Sequence, residues 1–376
     1  MKKIILILIL AFSVFSVSVS AENVYEFELR DAEGEAEGIL DEFIDSIPDE
    51  IKDELPKNDS VKEFSSYDFE FYAEEVVNAV KGAIKPAIKT VSVLLGTVIL
   101  SSVFSVFAGT VAGDSMKGVF SFCSTLCVAL SIYNALETVF STVSVLLKAL
   151  SETMVAILPV MEVMYIRGGN LTTAAVTSTG INLMIGFTES LFAKVIEPAV
   201  YSVFVMSLVS SVTKNGGIAF MVKTLRGILT AVILIIMTLM SFVLSMQTSA
   251  GASADTFAVK TIKFAIGNYV PIIGGTVAES FSLLSGSLGV IKQSCGIIAI
   301  AVLIIAFLPP FCTILLNRIA VGLSGAAAGA LGCERESVLL EECKGICTML
   351  MSICAGAVVM YIIALGVFCK TPMAIR

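Results

Sequence analysis

From residue 86 to residue 376 the chain is a succession of long apolar runs parted by short polar breaks, a pattern that leaves few folds open. The runs fall at 90–112, 118–136, 149–166, 172–192, 196–213, 227–246, 264–289, 294–316 and 346–369. As helices, those at 90–112, 227–246, 294–316 and 346–369 are each long enough to cross a hydrocarbon core of about 30 Å. The runs are continuous, without alternation of period two, which disfavours a membrane β-barrel. At 56% hydrophobic and 15% charged residues, with a mean hydropathy of +0.93, the chain has more apolar surface than a water-soluble globule can hide. The expected fold class is all-α: a polytopic helical membrane protein with about seven to nine membrane segments.

The charge divides the chain. Residues 22–75 hold 20 of the 32 acids and four bases (Arg30, Lys52, Lys57, Lys62), whereas the remainder has 20 bases and 12 acids. Ahead of the acidic block, Lys2 and Lys3 precede an apolar core from Ile4 to Phe15, and Val19-Ser20-Ala21 offers small residues before Glu22. This is the pattern of a signal peptide cleaved after Ala21; an uncleaved first span is the alternative, and the run is short for one. Three regions follow: a signal peptide at 1–21, an acidic extracytoplasmic segment at 22–85, and a polytopic transmembrane domain at 86–376.

Through Gly38 the acidic segment has the composition of disordered chain. Leu40, Phe43, Ile44 and Ile47 then fall at helical spacing up to Pro48, and Ile51 and Leu55 make one more turn before Pro56. A longer helix is expected from Ser65-Ser66, with Phe69, Tyr72, Val76, Val80 and Ile84 on one face. That face either packs on the chain's own membrane body or docks a partner. Having no Cys, the segment is not stapled by disulfides.

Lysine and arginine in short loops set the orientation. Lys214 to Arg226 carries three bases and no acid and is expected in the cytoplasm, as is the tail with Lys370 and Arg376. The loop at 333–344, with Glu334, Glu336, Glu341 and Glu342, suits the outside. Lys81, Lys85 and Lys89 fit badly beside a signal peptide that puts them outside.

Absent residues exclude chemistry. The chain has no His and no Trp, so a Ser-His-Asp site, a Cys-His site and His-ligated zinc or haem are ruled out. No phosphate-loop or dinucleotide-binding glycine motif is found, and a formal charge of −8 without a basic patch speaks against nucleic acid. Beyond residue 75 the aspartates are Asp114 and Asp255, both expected in loops, which removes an aspartyl intramembrane protease. No enzymatic activity, catalytic residue, metal or cofactor is expected.

Several constellations remain. Glu137, Glu152, Glu162, Glu189, Glu197 and Glu279 sit in or beside apolar runs, where carboxylates are costly and face a cavity, a partner helix or an ion path. Nearby bases (Arg167 for Glu162, Lys194 for Glu189, Lys148 for Glu152) favour ion pairs at helix ends. Of these acids, Glu162, Glu189, Glu197 and Glu279 are the candidates for an intramembrane role. In the segment at 264–289, Gly267, Asn268, Pro271, Gly274 and Gly275 interrupt an apolar run, and such breaks survive at membrane depth only in protein or beside a wet cavity. An ordinary loop with a kinked helix is the plainer reading. Gly322, Gly325 and Gly329 form a small-residue stripe that lets helices approach closely, within the chain or between copies in a homo-oligomer. The nine cysteines, among them Cys123, Cys127, Cys333, Cys343, Cys347 and Cys354, read as small buried hydrophobes. Met349, Met351 and Met360 read as lipid-facing or packing residues.

The stretch SMQTSAGASADTFAVKTIKFAIGNYVPIIGG at 245–275 resembles the signature of the stage III sporulation protein AE family of endospore-forming bacteria. Leu158-Pro159-Val160, followed by Arg167-Gly168-Gly169, adds to the likeness, which covers roughly 90–370. The resemblance implies a mother-cell protein in the membrane around the engulfed forespore. There it would act as the permease-like component of a multiprotein channel between the two cells, needed for forespore development after engulfment. Its implied partners are the other membrane proteins of the same operon and a forespore protein across the intermembrane space. No catalytic residues are carried over, and the Gly/Pro stretch at 267–275 matches the family residue by residue. A stand-alone secondary transporter coupling ions through Glu162, Glu189, Glu197 or Glu279 is the competing reading; two inverted halves with paired broken helices would favour it.

Overall fold

The computed structural model describes residues 69–111, 114–213, 216–269 and 274–374, and every element among them is helical. The expected signal peptide, the acidic block to residue 68 and the amphipathic turns expected at 40–47 lie outside the described residues. Seven α-helices follow in order: α1 (Phe69–Val111), α2 (Asp114–Arg167), α3 (Leu171–Leu191), α4 (Glu197–Thr213), α5 (Gly216–Tyr269), α6 (Gly274–Ala330) and α7 (Glu334–Lys370). Five residues of π-helix, Phe192–Ile196, join α3 to α4 without a turn.

Six of these continuous helical stretches are long and apolar enough to cross a membrane. Two expected pairs of spans each form one continuous helical stretch: 118–136 and 149–166 both lie in α2, while 172–192 and 196–213 lie in α3, the π-helical residues and α4. The segment at 264–289 is divided between the end of α5 and the beginning of α6. The expected seven to nine segments therefore become six among the described residues. The polar residues between the apolar runs mark no turn, because Lys148 and Glu152 pair at 3.5 Å along one exposed face of α2 and the helix runs on. Between α3 and α4 the cause is Pro198, whose missing N–H cannot serve the carbonyl one turn back. The ladder shifts instead, and the Glu197 N–H reaches the Phe192 carbonyl.

Two glycines turn the chain. Gly169 (φ 74°) and Gly332 (φ 77°) adopt the left-handed conformation just past α2 and α6. In each turn the glycine N–H bonds three residues back, at 3.0 Å to Ile166 and 3.2 Å to Gly329. The next N–H bonds five back, from Asn170 to Tyr165 at 2.8 Å and from Cys333 to Ala328 at 2.9 Å. These are Schellman caps, which satisfy the last helical carbonyls.

The bundle has two ends, named here for those glycines. α1 and α6 run parallel toward the Gly332 end, joined by Thr90 Oγ1 to Asn317 Oδ1 at 3.0 Å and Ser102 Oγ to the Leu331 carbonyl at 3.4 Å. Helix α7 returns through the middle, touching α2, α4, α5 and α6. Its Leu340, Cys343, Ile346, Cys347, Leu350 and Cys354 are fully buried. The methionines 349, 351 and 360 are buried too, as packing residues. Outer helices turn their large side chains outward, as with Phe104 on α1 and Ile235, Leu239 and Phe242 on α5, each more than half exposed.

On α1 only part of the expected face is seen to turn inward: Val80 packs on a small cluster with α6, and the side chains of Phe69, Tyr72 and Val76 lie outside the described residues. Ala79, Ala83 and Ala87 are buried, the first two against Cys312 of α6, whereas Ile84 is 40% exposed. In lipid a large apolar side chain gains little by facing protein, and small residues let two backbones close.

The structure also overturns part of the loop assignment. Arg226 of α5 donates to Oε2 of Glu342 at 2.8 Å and to the Glu342 carbonyl at 3.0 Å. The loops at 214–226 and 333–344, expected on opposite sides, thus share the Gly332 end. The tail at 371–374 lies at the other end against Asn170, so it cannot share a side with 214–226. Counting Lys and Arg misleads here because Arg226 is consumed by a pair inside the protein.

Candidate functional site

The signature stretch at 245–275 acquires its meaning from what its first half touches. Thr248, Gly251, Ala252 and Asp255 fall at i, i+3, i+4 and i+7 and form one buried face of α5. Opposite them stand Thr173, Thr177 and Gly180 of α3. The hydroxyls of Thr177 and Thr248 meet at 3.0 Å. A Cβ on Gly251 would lie 3.1 Å from Thr173 Cα, and one on Gly180 would collide with Leu244. Small residues are there because two backbones nearly touch.

Asp255 closes this joint. Far from lying in a loop, it sits within α5, 5% exposed, and serves as the N-cap of α3 from another helix. Its Oδ1 accepts the Thr172 N–H at 2.9 Å, and Oδ2 accepts both the N–H and the hydroxyl of Thr173 at 2.7 Å. A carboxylate at a helix N-terminus satisfies orphan donors and meets the favourable end of the dipole. Asp114 opens α2 and is at the other end of the bundle, so the two aspartates do not meet.

Asn170, the local N-cap position of α3, makes no cap bond with its side chain. It holds the C-terminal tail instead: Nδ2 donates to the Pro372 carbonyl at 3.0 Å, and Oδ1 accepts the Ala374 N–H at 2.6 Å. Lys292 of α6, 2% exposed, donates to the Thr371 carbonyl and lies 5.2 Å from the Tyr165 ring centroid and 5.4 Å from that of Phe368. Burial pulls its pKa down to about 8. The Gly169 end is thus a polar knot of α2, α3, α5, α6 and the tail.

From this knot the broken segment begins. Past Asp255 the face of α5 opens, and Phe257, Ile262 and Phe264 are 75%, 57% and 73% exposed. Gly267 and Asn268 lie in the last turn of α5, Gly274 and Gly275 start α6, and Glu279 follows in α6. Pro271 lies outside the described residues. The described residues on either side are the end of α5 and the start of α6, and 270–273 between them lie outside the described residues.

The other candidates are scattered. Glu162 of α2 is half-buried beside a shallow crevice whose lining includes Tyr165, Thr177 and Ser178. Glu189 is exposed on α3, and Glu197 is half-buried at the start of α4. No group of His, Cys, Asp and Glu among the described residues is arranged to hold a metal. Gly322, Gly325 and Gly329 all face α7, where an added Cβ would lie 3.1 Å from Lys344, 3.2 Å from Leu340 and 3.3 Å from Ser337. All nine cysteines are free thiols; Cys123 and Cys127 are exposed, and Cys333, Cys343, Cys347 and Cys354 are buried.

Sequence reasoning missed Asn170, Lys292 and the cap role of Asp255. A solitary aspartate at i+7 of a Thr-Gly-Ala face was the available signal for the last. For Lys292 there was none, since one lysine between two apolar runs reads as a polar break.

The family described as stage III sporulation protein AE matches residues 54–371. Stage III sporulation protein AE of Bacillus subtilis (strain 168) is 21% identical over 257 residues, which are 66% of this chain and 64% of that relative. The match therefore spans a little under two thirds of the relative's length. No solved structure matches. Because the family's stretch takes in all seven helices and the joint at 248–255, the chain belongs to the stage III sporulation protein AE family.

Proposed function

We propose that this protein is a polytopic membrane component, channel subunit or scaffold, of a multiprotein sporulation apparatus that connects mother cell and forespore and is needed for forespore development after engulfment. In this reading it resides in the mother-cell membrane around the forespore, with residues 22–85 in the intermembrane space. Its partners are other membrane proteins of the same operon and a forespore protein, and it performs no catalytic step.

Family membership carries the proposal, and one structural observation refines it. The axis of the bundle is filled by α7, whose buried face packs on four neighbours. A passage between two cells would then be lined by several chains, with this one as a wall or a frame. The exposed Phe257, Ile262 and Phe264 beyond the Asp255 joint suit the frame, since they offer an apolar surface next to the connection between α5 and α6. A stand-alone transporter is less well supported, because Glu189 is exposed and Glu162 and Glu197 are only half-buried.

The test is deletion of the gene in its host, followed by complementation with a fluorescent fusion carrying either the native sequence or the Gly274→Leu, Gly275→Leu pair. Arrest after engulfment, rescued by the native fusion in the engulfing membrane but not by the inserted double variant, is the expected result. Normal spores in the deletion strain would refute the proposal and return attention to solute uptake. Normal spores with the double variant alone would remove the connection between α5 and α6 from it.

A further inference from the structure

At the Gly332 end, four oxygens from three helices converge in a place that the proposed function does not use. Glu336, in the first turn of α7, is 4% exposed. Its Oε1 lies 3.0 Å from Ser101 Oγ of α1, 3.0 Å from Ser124 Oγ of α2 and 3.2 Å from Thr125 Oγ1 of α2. Ser101 is 4% exposed and Thr125 is fully buried. The two serine hydroxyls also touch each other, and Thr125 Oγ1 lies 2.9 Å from the Ser121 carbonyl. All four residues fall within helices long and apolar enough to cross a membrane.

Two features of this cluster point to a further ligand. The first is a count of hydrogens. Each hydroxyl has one to give. Thr125 is wanted by both Ser121 and Glu336, while Ser101 and Ser124 approach Glu336 and one another. Three hydroxyl hydrogens cannot fill those approaches, and protonating Glu336 adds one more and still leaves a pair of oxygens with none between them. The second is charge. Among the described residues no Lys or Arg nitrogen pairs with Glu336, and the guanidinium Nε of neighbouring Arg335 is buried without a hydrogen-bond partner.

A small cation meets both demands, because it draws on lone pairs where hydrogens run short and brings the missing positive charge. We propose that Glu336, Ser101, Ser124 and Thr125 form a binding site for a monovalent alkali cation that clamps α1 and α2 to the start of α7. The ligand set fixes the class of ion. All four donors are hard oxygens, which exclude a thiophilic metal, and a single carboxylate neutralises one charge and not two. Cys333, 3.8 Å from Ser101, closes the site as a neutral thiol.

The experiment uses the purified full-length protein in detergent at fixed pH and ionic strength. Its thermal midpoint and its binding of radiosodium are followed as sodium or potassium chloride replaces choline chloride. The expected result is a saturable rise in the midpoint with one alkali ion, saturable radiosodium binding that the preferred ion displaces, and loss of both in Glu336→Gln. Should Glu336→Gln fail to fold, Ser124→Ala and Thr125→Ala are the milder variants, each expected to raise the half-saturating concentration. A wild-type midpoint equal in sodium, potassium and choline overturns the site, as does unaltered binding in folded Glu336→Gln. A midpoint that answers to acid and to neither alkali ion assigns the cluster to a proton alone and overturns it as well.

Discussion

Asp255 makes three short hydrogen bonds to the start of another helix, all at 2.7–2.9 Å and all from a buried carboxylate. Removing it leaves Thr172 and Thr173 N–H groups unpaired in an apolar setting. Asp255→Ala should cost roughly 2–3 kcal/mol of stability, the upper range for a helix cap with a charged acceptor. Asp255→Asn, which keeps one acceptor oxygen, should fall between the two in detergent unfolding; an Asp255→Ala protein as stable as wild type would show that α3 needs no such cap. Lys292 permits a prediction in pH. Burial holds its pKa at about 8 against an ordinary 10.5, so the folded chain sheds near pH 8 a proton that the unfolded chain keeps to about 10.5. Between these values the unfolded state binds more protons, and stability must rise with pH through that window. Below pH 8 the cost of the buried charge is present in full. Lys292→Met, similar in length and uncharged, should abolish the rise, and the difference in unfolding midpoint between wild type and variant across the window measures it.

At the scale of elements, large apolar side chains fill the core, and small residues set the closest helix approaches. Gly325 lies 3.2 Å, as a virtual Cβ, from Leu340 Cβ, and its carbonyl accepts the Ser337 hydroxyl at 3.0 Å. Gly325→Leu has to drive α6 off α7 and break that bond, and overpacking of this kind costs about 1–3 kcal/mol. Gly366, which has open space around its Cβ position, should accept alanine without effect, so unfolding midpoints of the two variants separate local crowding from a general dislike of side chains. The same logic explains what the sequence disclosed about elements. Apolar length announced helices and membrane, and the glycine stripe was visible as a packing surface. The number of spans was misjudged because the stretch from Glu137 to Lys148 reads as a polar break when α2 runs on through it. Pro198 likewise looks like a break when a π turn carries the helix through it. At the candidate site, the Gly-Ala-Asp signature stood out by composition, yet its partner face of Thr173, Thr177 and Gly180 lies some 70 residues earlier in the chain. No local pattern connects the two.

For the whole molecule the question is which parts share a side of the membrane. The Arg226–Glu342 pair fixes the start of α5 and the start of α7 at one end, whatever the absolute orientation. Asp255 with Thr173, and Asn170 with Ala374, fix the outer half of α5 and the C-terminal tail at the other. Lys223 and Glu341 are exposed at the first end, Lys260 and Lys370 at the second. Replaced singly by cysteine, in a background where the exposed Cys123 and Cys127 are serine, positions 223 and 341 should react with a membrane-impermeant maleimide from one side. Positions 260 and 370 should react only from the other. If residues 22–85 are outside, the direction of α1 makes the Gly169 end external, and 260 and 370 label in intact cells. If the bases near that end decide instead, 223 and 341 label. Either pattern preserves the bundle, because both keep the pairs together. Labelling of 223 and 341 from opposite sides is incompatible with a 2.8 Å ion pair between their neighbours, and it would break the alternation of crossings on which the fold rests.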